Sequence, residues 1–228
     1  MAVQLMDKLN RGLHVICFVV MVALASAPLF AASEWQLVHS SDRLTVERRD
    51  YKGSDLDEIR GVLRLDASLN AVMALLKDAS FNEQWVYRSG GARVLQEMGY
   101  PEAYVYGIVD APFPMVDRDT VVRFDFKQDP VTREITIGII NFPQFAPEAD
   151  GLVRVPDFGG FWHLRPLTDQ GVMVTYQVYG DPGGWIPVWM ANRAAVLSVQ
   201  NTLENMQAAV VNYEGSQSRY VKELDSAE

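Results

Sequence analysis

Apolar residues recur at every second position along most of this chain. Leu44 and Val46 alternate with polar neighbours, and so do Val122, Phe124 and Phe126. The same period, or a β-branched and aromatic composition, recurs in "IRGVLRLD", "AYVYGIV", "REITIGII", "GFWHLRP" and "VMVTYQVY". A period of two is typical of strands that are apolar on one face and polar on the other. The sequence therefore predicts about eight antiparallel strands joined by short turns.

Two segments instead have the period of a helix. The first is "SLNAVMALLKD", in which Ser68 is suited to be the N-cap. The second runs from Pro187 to about Tyr213, and Pro187 suits the first turn of a helix. Its apolar stripe consists of Trp189, Val196, Val199, Leu203, Met206 and Val210. Because only this helix is long enough to cover the apolar side of the sheet, we expect an α+β fold, with a curved antiparallel sheet around a C-terminal helix.

Two short segments are harder to place from their composition. We expect "SEWQLVHS" to form an opening helical turn or two, and the glycine-rich "SGGAR" (89–93) to form a turn.

The first 32 residues have the pattern of an export signal. Lys8 and Arg11 precede an apolar run, Leu13–Leu24, which is too short to span a bilayer comfortably. Small residues follow, so we predict a signal peptide over 1–32, cleaved after Ala31 or Ala32, and one domain over 33–228. This predicts a periplasmic or secreted protein; an uncleaved N-terminal anchor is the alternative.

Composition excludes several classes of function. Removing Lys8, Arg11 and Asp7 from 20 basic and 29 acidic residues leaves 18 and 28, a net charge of −10. Nucleic acid is not an expected partner, since binding phosphates requires clustered positive charge. The single cysteine, Cys17, lies in the predicted signal, so the mature chain has neither disulfides nor cysteine metal sites.

Catalytic and metal-binding motifs are absent from the sequence. Outside the predicted signal its only histidines are His39 and His163, and it contains no nucleophile elbow, zinc-protease motif or phosphate loop. Asp117 and Asp119 have no third acidic residue at the spacing of a calcium loop, so a turn that caps the next strand is the better interpretation. We therefore predict no catalytic residue, metal or cofactor.

Large aromatic residues fall on, or next to, the positions that the alternation assigns to the interior. The candidate lining residues are Tyr104, Tyr106, Phe124, Phe126, Trp162, Tyr176 and Trp189, with Val196, Val199 and Leu203 from the helix. They either fill a core or enclose a cavity for an apolar ligand. Alternation gives the direction of a side chain but not its depth, so both interpretations stay open here.

The stretch "DPGGWIPVWMAN" (181–192) joins the last strand to the long helix. Gly183 and Gly184 allow a sharp turn and Pro187 starts the helix, so these three residues are predicted to be the hinge of a lid. Trp189 is expected to be a cavity wall, whereas Trp185 is free to cover the turn or to touch a bilayer. The segment "NFPQFAPEAD" (141–150) is either a lip over the cavity entrance or an ordered surface loop.

Five motifs in this order, beginning with "W…V" at Trp35–Val38, resemble one known family. "PFPMVDRD" (112–119), "GLVRV" (151–155), "GFWHLRPL" (160–167) and "DPGGWIPVWMAN" are similar to segments of the START domain, the steroidogenic-acute-regulatory-related lipid-transfer family, and above all of its exported bacterial members. The resemblance extends from about Trp35 to Tyr213. It implies a helix-grip fold whose internal hydrophobic cavity takes one lipid, such as a sterol or phospholipid, with no cofactor and no catalysis.

By this resemblance, we expect a monomeric lipid carrier that touches membrane surfaces transiently. An acidic body disfavours lasting adhesion to anionic lipid. Some sterol-binding members place an acid and an arginine inside the tunnel, and the corresponding positions here are Val105 and Phe124. The resemblance therefore implies no buried ion pair in the cavity.

Two other hypotheses remain open at this point. The chain could be a helix-grip enzyme, a cyclase or hydrolase, with Tyr104, Tyr176 and Arg123 as its inward polar groups. It could also be an interaction module whose core is full.

Overall fold

A computed structural model describes residues 34–51, 53–97 and 102–224. The predicted signal peptide, 1–32, lies outside the described residues and stays a prediction. All the elements below belong to the compact unit formed by Ser33–Glu228.

Ten strands form one curved, almost wholly antiparallel sheet. They are β1 (Gln36–Ser40), β2 (Leu44–Asp50), β3 (Asp57–Leu65), β4 (Ser89–Glu97), β5 (Glu102–Val109), β6 (Arg118–Gln128), β7 (Ile135–Asn141), β8 (Val153–Arg154), β9 (Asp157–Pro166) and β10 (Val172–Asp181). Their order is β1-β2-β3-β10-β9-β7-β6-β5-β4, and the short β8 pairs in parallel with β6. The antiparallel sheet predicted from the alternation is confirmed.

Three α-helices accompany the sheet: α1 (Leu69–Lys77), α2 (Asn82–Trp85) and α3 (Val188–Ala209). Single 3₁₀ turns cover Ala79–Phe81 and Val210–Tyr213. The hydroxyl of Ser68 accepts a hydrogen bond from the Ala71 N–H at 3.1 Å, which confirms the predicted N-cap.

The main core lies between one face of the sheet, here called the inner face, and helices α1 and α3. Ile59, Leu63 and Leu164 from the strands are fully buried there together with Leu203 and Met206 from α3. A curved sheet that packs on one long C-terminal helix is the predicted helix-grip arrangement.

Two local predictions were wrong. The segment "SEWQLVHS" contains strand β1, which pairs with β2 at the sheet edge. Four of the five residues of β1 are exposed, so no buried face requires apolar residues at every second position of this strand. The "SGGAR" segment begins β4 instead of forming a turn. The register of β4 against β5 shifts between Ser89 and Ala92, so the two glycines are accommodated by an irregularity within the strand pair.

Candidate functional site

Strand register identifies the side chains that share the inner face. Gly61 faces α3, since a Cβ added to it would lie 2.3 Å from the Leu203 Cδ1. Tyr176 is directly opposite Gly61, and Trp162 is directly opposite Tyr176. The same register continues through β7 to Phe124 and Phe126 on β6. Four of the predicted lining aromatics therefore share one face.

The middle of the inner face carries a stacked aromatic pair. The rings of Trp162 and Tyr176 are 3.8 Å apart and nearly parallel, and Trp85 of α2 is tilted against Trp162 at 6.3 Å. Tyr176 is half-buried, so part of its side chain stays accessible. Its hydroxyl lies deep in the fold, and burial alone raises the pKa of this hydroxyl well above the usual value. No described residue is recorded as a hydrogen-bond partner of that hydroxyl. Tyr176 therefore lies deep in the fold but is not fully enclosed by the described side chains.

Helix α3 covers this face with apolar side chains. Val199 and Leu203 are fully buried, and Val196 is half-buried against the core. The amide of Asn192 fixes the beginning of the helix, because its Oδ1 accepts from the Asp57 N–H at 3.0 Å and its Nδ2 donates to the Asp55 carbonyl. The three aliphatic residues predicted from the helical stripe therefore face the sheet.

Tyr104 and Tyr106 lie on the opposite, outer face of the sheet, contrary to the sequence prediction. Tyr104 is directly opposite Arg123 and Tyr106 is opposite Val121, whereas Val105 has the inner position. The prediction was wrong because β5 is apolar on both faces. Arg123, a polar candidate of the enzyme hypothesis, faces outward with Tyr104.

A loop covers the outer face of β5 and β6. The ring of Phe145 stacks on Tyr104 at 3.8 Å, and Phe142 meets the same ring edge-on. Of the two interpretations of "NFPQFAPEAD", the ordered surface loop is the one observed.

A buried ion pair under this loop was missed by the sequence reasoning. Arg154 donates to both carboxylate oxygens of Asp119, at 2.9 and 2.8 Å, and both side chains are almost inaccessible. Hydrogen bonding from Arg154 holds the pKa of the Asp119 carboxyl below its usual value, and burial followed by the Asp119 charge raises that of Tyr106. The arginine of "GLVRV" and the last aspartate of "VDRD" were signals that could have suggested the pair.

The turn before α3 has the conformation that its glycines predict. Gly183 and Gly184 have φ of +67° and +68°, a region that side chains other than glycine rarely occupy. Helix α3 begins directly after Pro187, whose carbonyl accepts the first intrahelical bonds. The guanidinium of Arg118 contacts the carbonyls of Pro182 and Gly183 at 3.4 Å and also bonds that of Val116. Arg118 therefore holds the β5–β6 loop and this turn together.

Trp189 is not a cavity wall. It is 66% exposed and Trp185 is 89% exposed. The spacing of seven from Trp189 to Val196 and Leu203 misled the prediction, because a straight α-helix drifts about 20° per seven residues and leaves Trp189 at the edge of the buried stripe.

Exposed apolar residues surround this end of the molecule. Phe113, in the β5–β6 loop, is 97% exposed. We call Phe113, Val116, Trp185, Val188 and Trp189 the apolar rim; all five are exposed.

Two open depressions lie outside the inner face. One of about 240 Å³ is beside the turn and is lined by Ser54, Asp55, Leu56, Asp181, Pro182, Gly184, Ile186, Val188 and Ala191. The other, of about 390 Å³, lies between α1 and the C-terminal tail. Neither includes any of the ten predicted lining residues. Within 34–51, 53–97 and 102–224, no group of three or more His, Cys, Asp and Glu side chains could hold a metal ion.

Comparison with known proteins finds relatives that match most of the length of this chain. An uncharacterized protein of Pseudomonas aeruginosa is 31% identical over 181 residues, 78% of this chain and 87% of that protein. The phosphatidylcholine transfer protein of Mus musculus is 30% identical over 194 residues, 82% of this chain and 88% of that protein. No protein-family model matches the chain.

A solved structure matches in both sequence and fold. The crystal structure of a STAR-related lipid transfer protein from Xanthomonas axonopodis is 34% identical and has a TM-score of 0.72, covering 78% of this chain and 98% of that one. With the inner face, the long C-terminal helix and the relatives in agreement, the chain belongs to the STAR-related lipid transfer (START) family.

Proposed function

We propose that this protein binds one lipid between α3 and the inner face of the sheet and carries it between membranes. The observation that carries the proposal is the half-buried state of Tyr176, Phe124 and Phe126, which face the interior yet keep accessible surface. Relatives named for lipid transfer or for phosphatidylcholine transfer support it.

The energetics of such binding are favourable. Removing about 400 Å² of apolar ligand surface from water stabilises a complex by about 10 kcal/mol before the costs of association. An inner face built from aromatic and aliphatic side chains offers that burial.

We further propose that the apolar rim touches the membrane during exchange. Trp185, Trp189 and Phe113 present large apolar surfaces at the end of the molecule where α3 begins. Tryptophan favours the membrane–water interface, and the net negative charge of the chain favours release from anionic lipid. None of the helices within 34–51, 53–97 and 102–224 is apolar and long enough to cross a bilayer.

Transfer between vesicles tests both proposals. We expect a variant with Trp185→Ser and Trp189→Ser to keep its bound lipid but to transfer it from vesicles about tenfold more slowly. Val131→Ser is the matched control, because Val131 is also exposed but follows the other end of β6, about 30 Å away along the strand. Purified protein that carries no lipid by native mass spectrometry and extracts none from vesicles would contradict lipid binding.

We propose binding without chemical conversion. Two polar candidates of the enzyme hypothesis, Tyr104 and Arg123, lie on the outer face, and only Tyr176 faces the interior. Bound lipid extracted after long incubation should have the same mass as the lipid supplied, whereas a cyclised or hydrolysed product would favour the enzyme hypothesis.

We propose, from the predicted signal peptide, that this activity lies outside the cytoplasm. Protein purified from its own cells should begin at Ala32 or Ser33 and occur in the periplasmic or secreted fraction. A chain that retains residues 1–31 would favour the membrane-anchored alternative.

A further inference from the structure

Charged side chains are rare on the inner face. On the five central strands, β3, β10, β9, β7 and β6, the strand register assigns only Asp57 and Arg118 to this face as charged residues. Each is the first residue of its strand, so both lie at ends of the sheet.

Both of these charges already have partners. The Asp57 carboxylate is 3.4 Å from the guanidinium of Arg48. Arg118 is bonded to the carbonyls of Val116, Pro182 and Gly183. The Asp57 charge is therefore compensated, whereas Arg118 keeps its positive charge at the start of β6, eight residues before Phe126, which shares the register of Tyr176.

Helix α3 adds no charge to the interior. Its fully buried sheet-facing residues include Val199, Leu203 and Met206, and Thr202 uses its hydroxyl to accept the Tyr87 N–H at 3.1 Å. The buried residues of α3 that face the sheet are therefore uncharged as well.

Two neutral hydrogen-bond donors in the interior, the Tyr176 hydroxyl and the Trp85 Nε1–H, have no acceptor among the described residues. Tyr176 keeps accessible surface, and the Trp85 Nε1–H is buried beside Trp162 without an acceptor. Leaving a buried hydroxyl or N–H unpaired is unfavourable, and a hydroxyl or carbonyl oxygen of a ligand would pair with it.

We propose that the ligand is an uncharged lipid whose hydroxyl or carbonyl oxygen meets Tyr176 and Trp85, rather than a phospholipid whose headgroup enters the interior. This inference depends on the lipid-transfer function proposed above. A phosphate buried beside Tyr176 and Trp85, away from the strand end that carries Arg118, would have no cationic partner, which is strongly unfavourable. The parallel stack of Tyr176 on Trp162 also covers one face of each ring, so the pair does not form an open aromatic box for a quaternary ammonium group.

The test compares a diacylglycerol and a phosphatidylcholine that differ only in their headgroup, with a sterol as a third lipid. Delipidated protein is titrated with vesicles that contain either a diacylglycerol or a phosphatidylcholine with the same fluorescent acyl chain, and in a third arm with a fluorescent sterol. We expect at least one uncharged lipid to bind about tenfold or more tightly than the phosphatidylcholine. The diacylglycerol and sterol arms distinguish the two sources of the same neutral chemistry.

Tyr176→Phe removes only the hydroxyl and separates its role in binding from its role in folding. Affinity for the uncharged lipid should fall about two- to twelvefold, the loss of one hydrogen bond. The melting temperature of the ligand-free protein should stay the same or rise, because an unpaired interior hydroxyl has been removed. Tyr104→Phe is the matched control on the outer face and should leave lipid affinity unchanged.

Three outcomes would overturn the inference. Phosphatidylcholine that binds as tightly as the better of the two uncharged lipids would mean that binding does not discriminate against its headgroup, with lipid transfer still standing. Uncharged lipid that binds tightly but is unaffected by Tyr176→Phe would remove Tyr176 from the site. Binding of none of the three probes would overturn the proposed function as well.

Discussion

The two faces of strands β5 and β6 are covered in different ways. On the inner face, Val105 and Phe124 are half-buried, and α3, the long helix over this side of the sheet, brings no charged residue into the interior. On the outer face, Tyr106 and Val121 are buried with the Asp119–Arg154 pair, under a loop.

This difference separates a cover that is locked from one that can open. Besides its pair with Asp119, Arg154 bonds the carbonyls of Pro143, Ala146 and Pro147, so one side chain holds the whole loop. Helix α3 rests on apolar contacts and on separate hydrogen bonds made by Asn192, Thr202 and Asn205. We expect the outer cover to stay closed while the inner cover moves.

Breaking the Asp119–Arg154 ion pair on the outer face should have the largest effect on stability. Arg154→Met leaves the Asp119 carboxylate buried without its partner, so we expect the free energy of unfolding to fall by about 3–5 kcal/mol. Urea denaturation measures this loss. Arg93→Met is the control: Arg93 is exposed over the Tyr106 ring at 4.8 Å, and its loss should cost about 0.5–1 kcal/mol.

The Asp119–Arg154 ion pair also predicts that the stability of the fold depends on pH. Arg154 lowers the pKa of Asp119, so the pair stabilises the fold above the unfolded pKa of about 3.9 and that contribution is lost as pH falls through the lower folded value. The destabilisation by Asp119→Asn should therefore be constant near neutral pH and shrink below about pH 4. An undiminished effect at pH 2.5 would argue against an ionised Asp119.

On the inner face, Gly61→Ala is the substitution that tests the other cover, because its added methyl group would push α3 away from the sheet. An added Cβ at Gly61 would lie 2.3 Å from the Leu203 Cδ1 and 2.8 Å from the Val199 Cγ1, so Gly61→Ala should cost about 1–3 kcal/mol. Gly138→Ala on the outer face is the matched control, since its Cβ would meet only ordinary contacts, 3.8 Å from the Asp125 Cβ. Equal losses in urea denaturation would mean that α3 does not sit tightly on β3.

Arg118→Met should loosen the turn that leads into α3. The carbonyls of Pro182 and Gly183 lose a charged donor, although the 3.4 Å contacts are long, so we expect a stability loss of about 1–2 kcal/mol. Amide hydrogen exchange over 182–192 should accelerate more than exchange in β3. Arg133→Met is the control, because Arg133 lies in the β6–β7 turn and bonds only a local carbonyl among the contacts described. Unchanged exchange over 182–192 would show that Arg118 does not restrain the turn.

The sequence predicted what depends on local patterning. Alternation identified the antiparallel sheet, helical spacing identified α3, and Ser68 and Gly183 were placed correctly because caps and left-handed turns have strong residue preferences. These signals lie within a few residues of each other along the chain.

The errors concern surfaces that distant segments cover. Tyr104 and Tyr106 look like inner-face residues because a loop some 40 residues later buries the outer face of β5, and buried strands are apolar on both sides. Trp189 has the right helical spacing but lies at the edge of the stripe near the beginning of α3. The Asp119–Arg154 pair joins two motifs that the sequence shows only separately.

The smallest expected effect concerns a polar pair on the outer face beyond the loop. His163 and Glu134 are 3.0 Å apart, and each is about one-third exposed. Because exposed ion pairs contribute little, His163→Gln should change stability by less than about 1 kcal/mol in urea denaturation, with Thr136→Ser beside it as a control for a minor change. A loss as large as that from Arg154→Met would mean that the outer face depends on a wider polar network, and the contrast between a locked and a movable cover would need to be extended to β7 and β9.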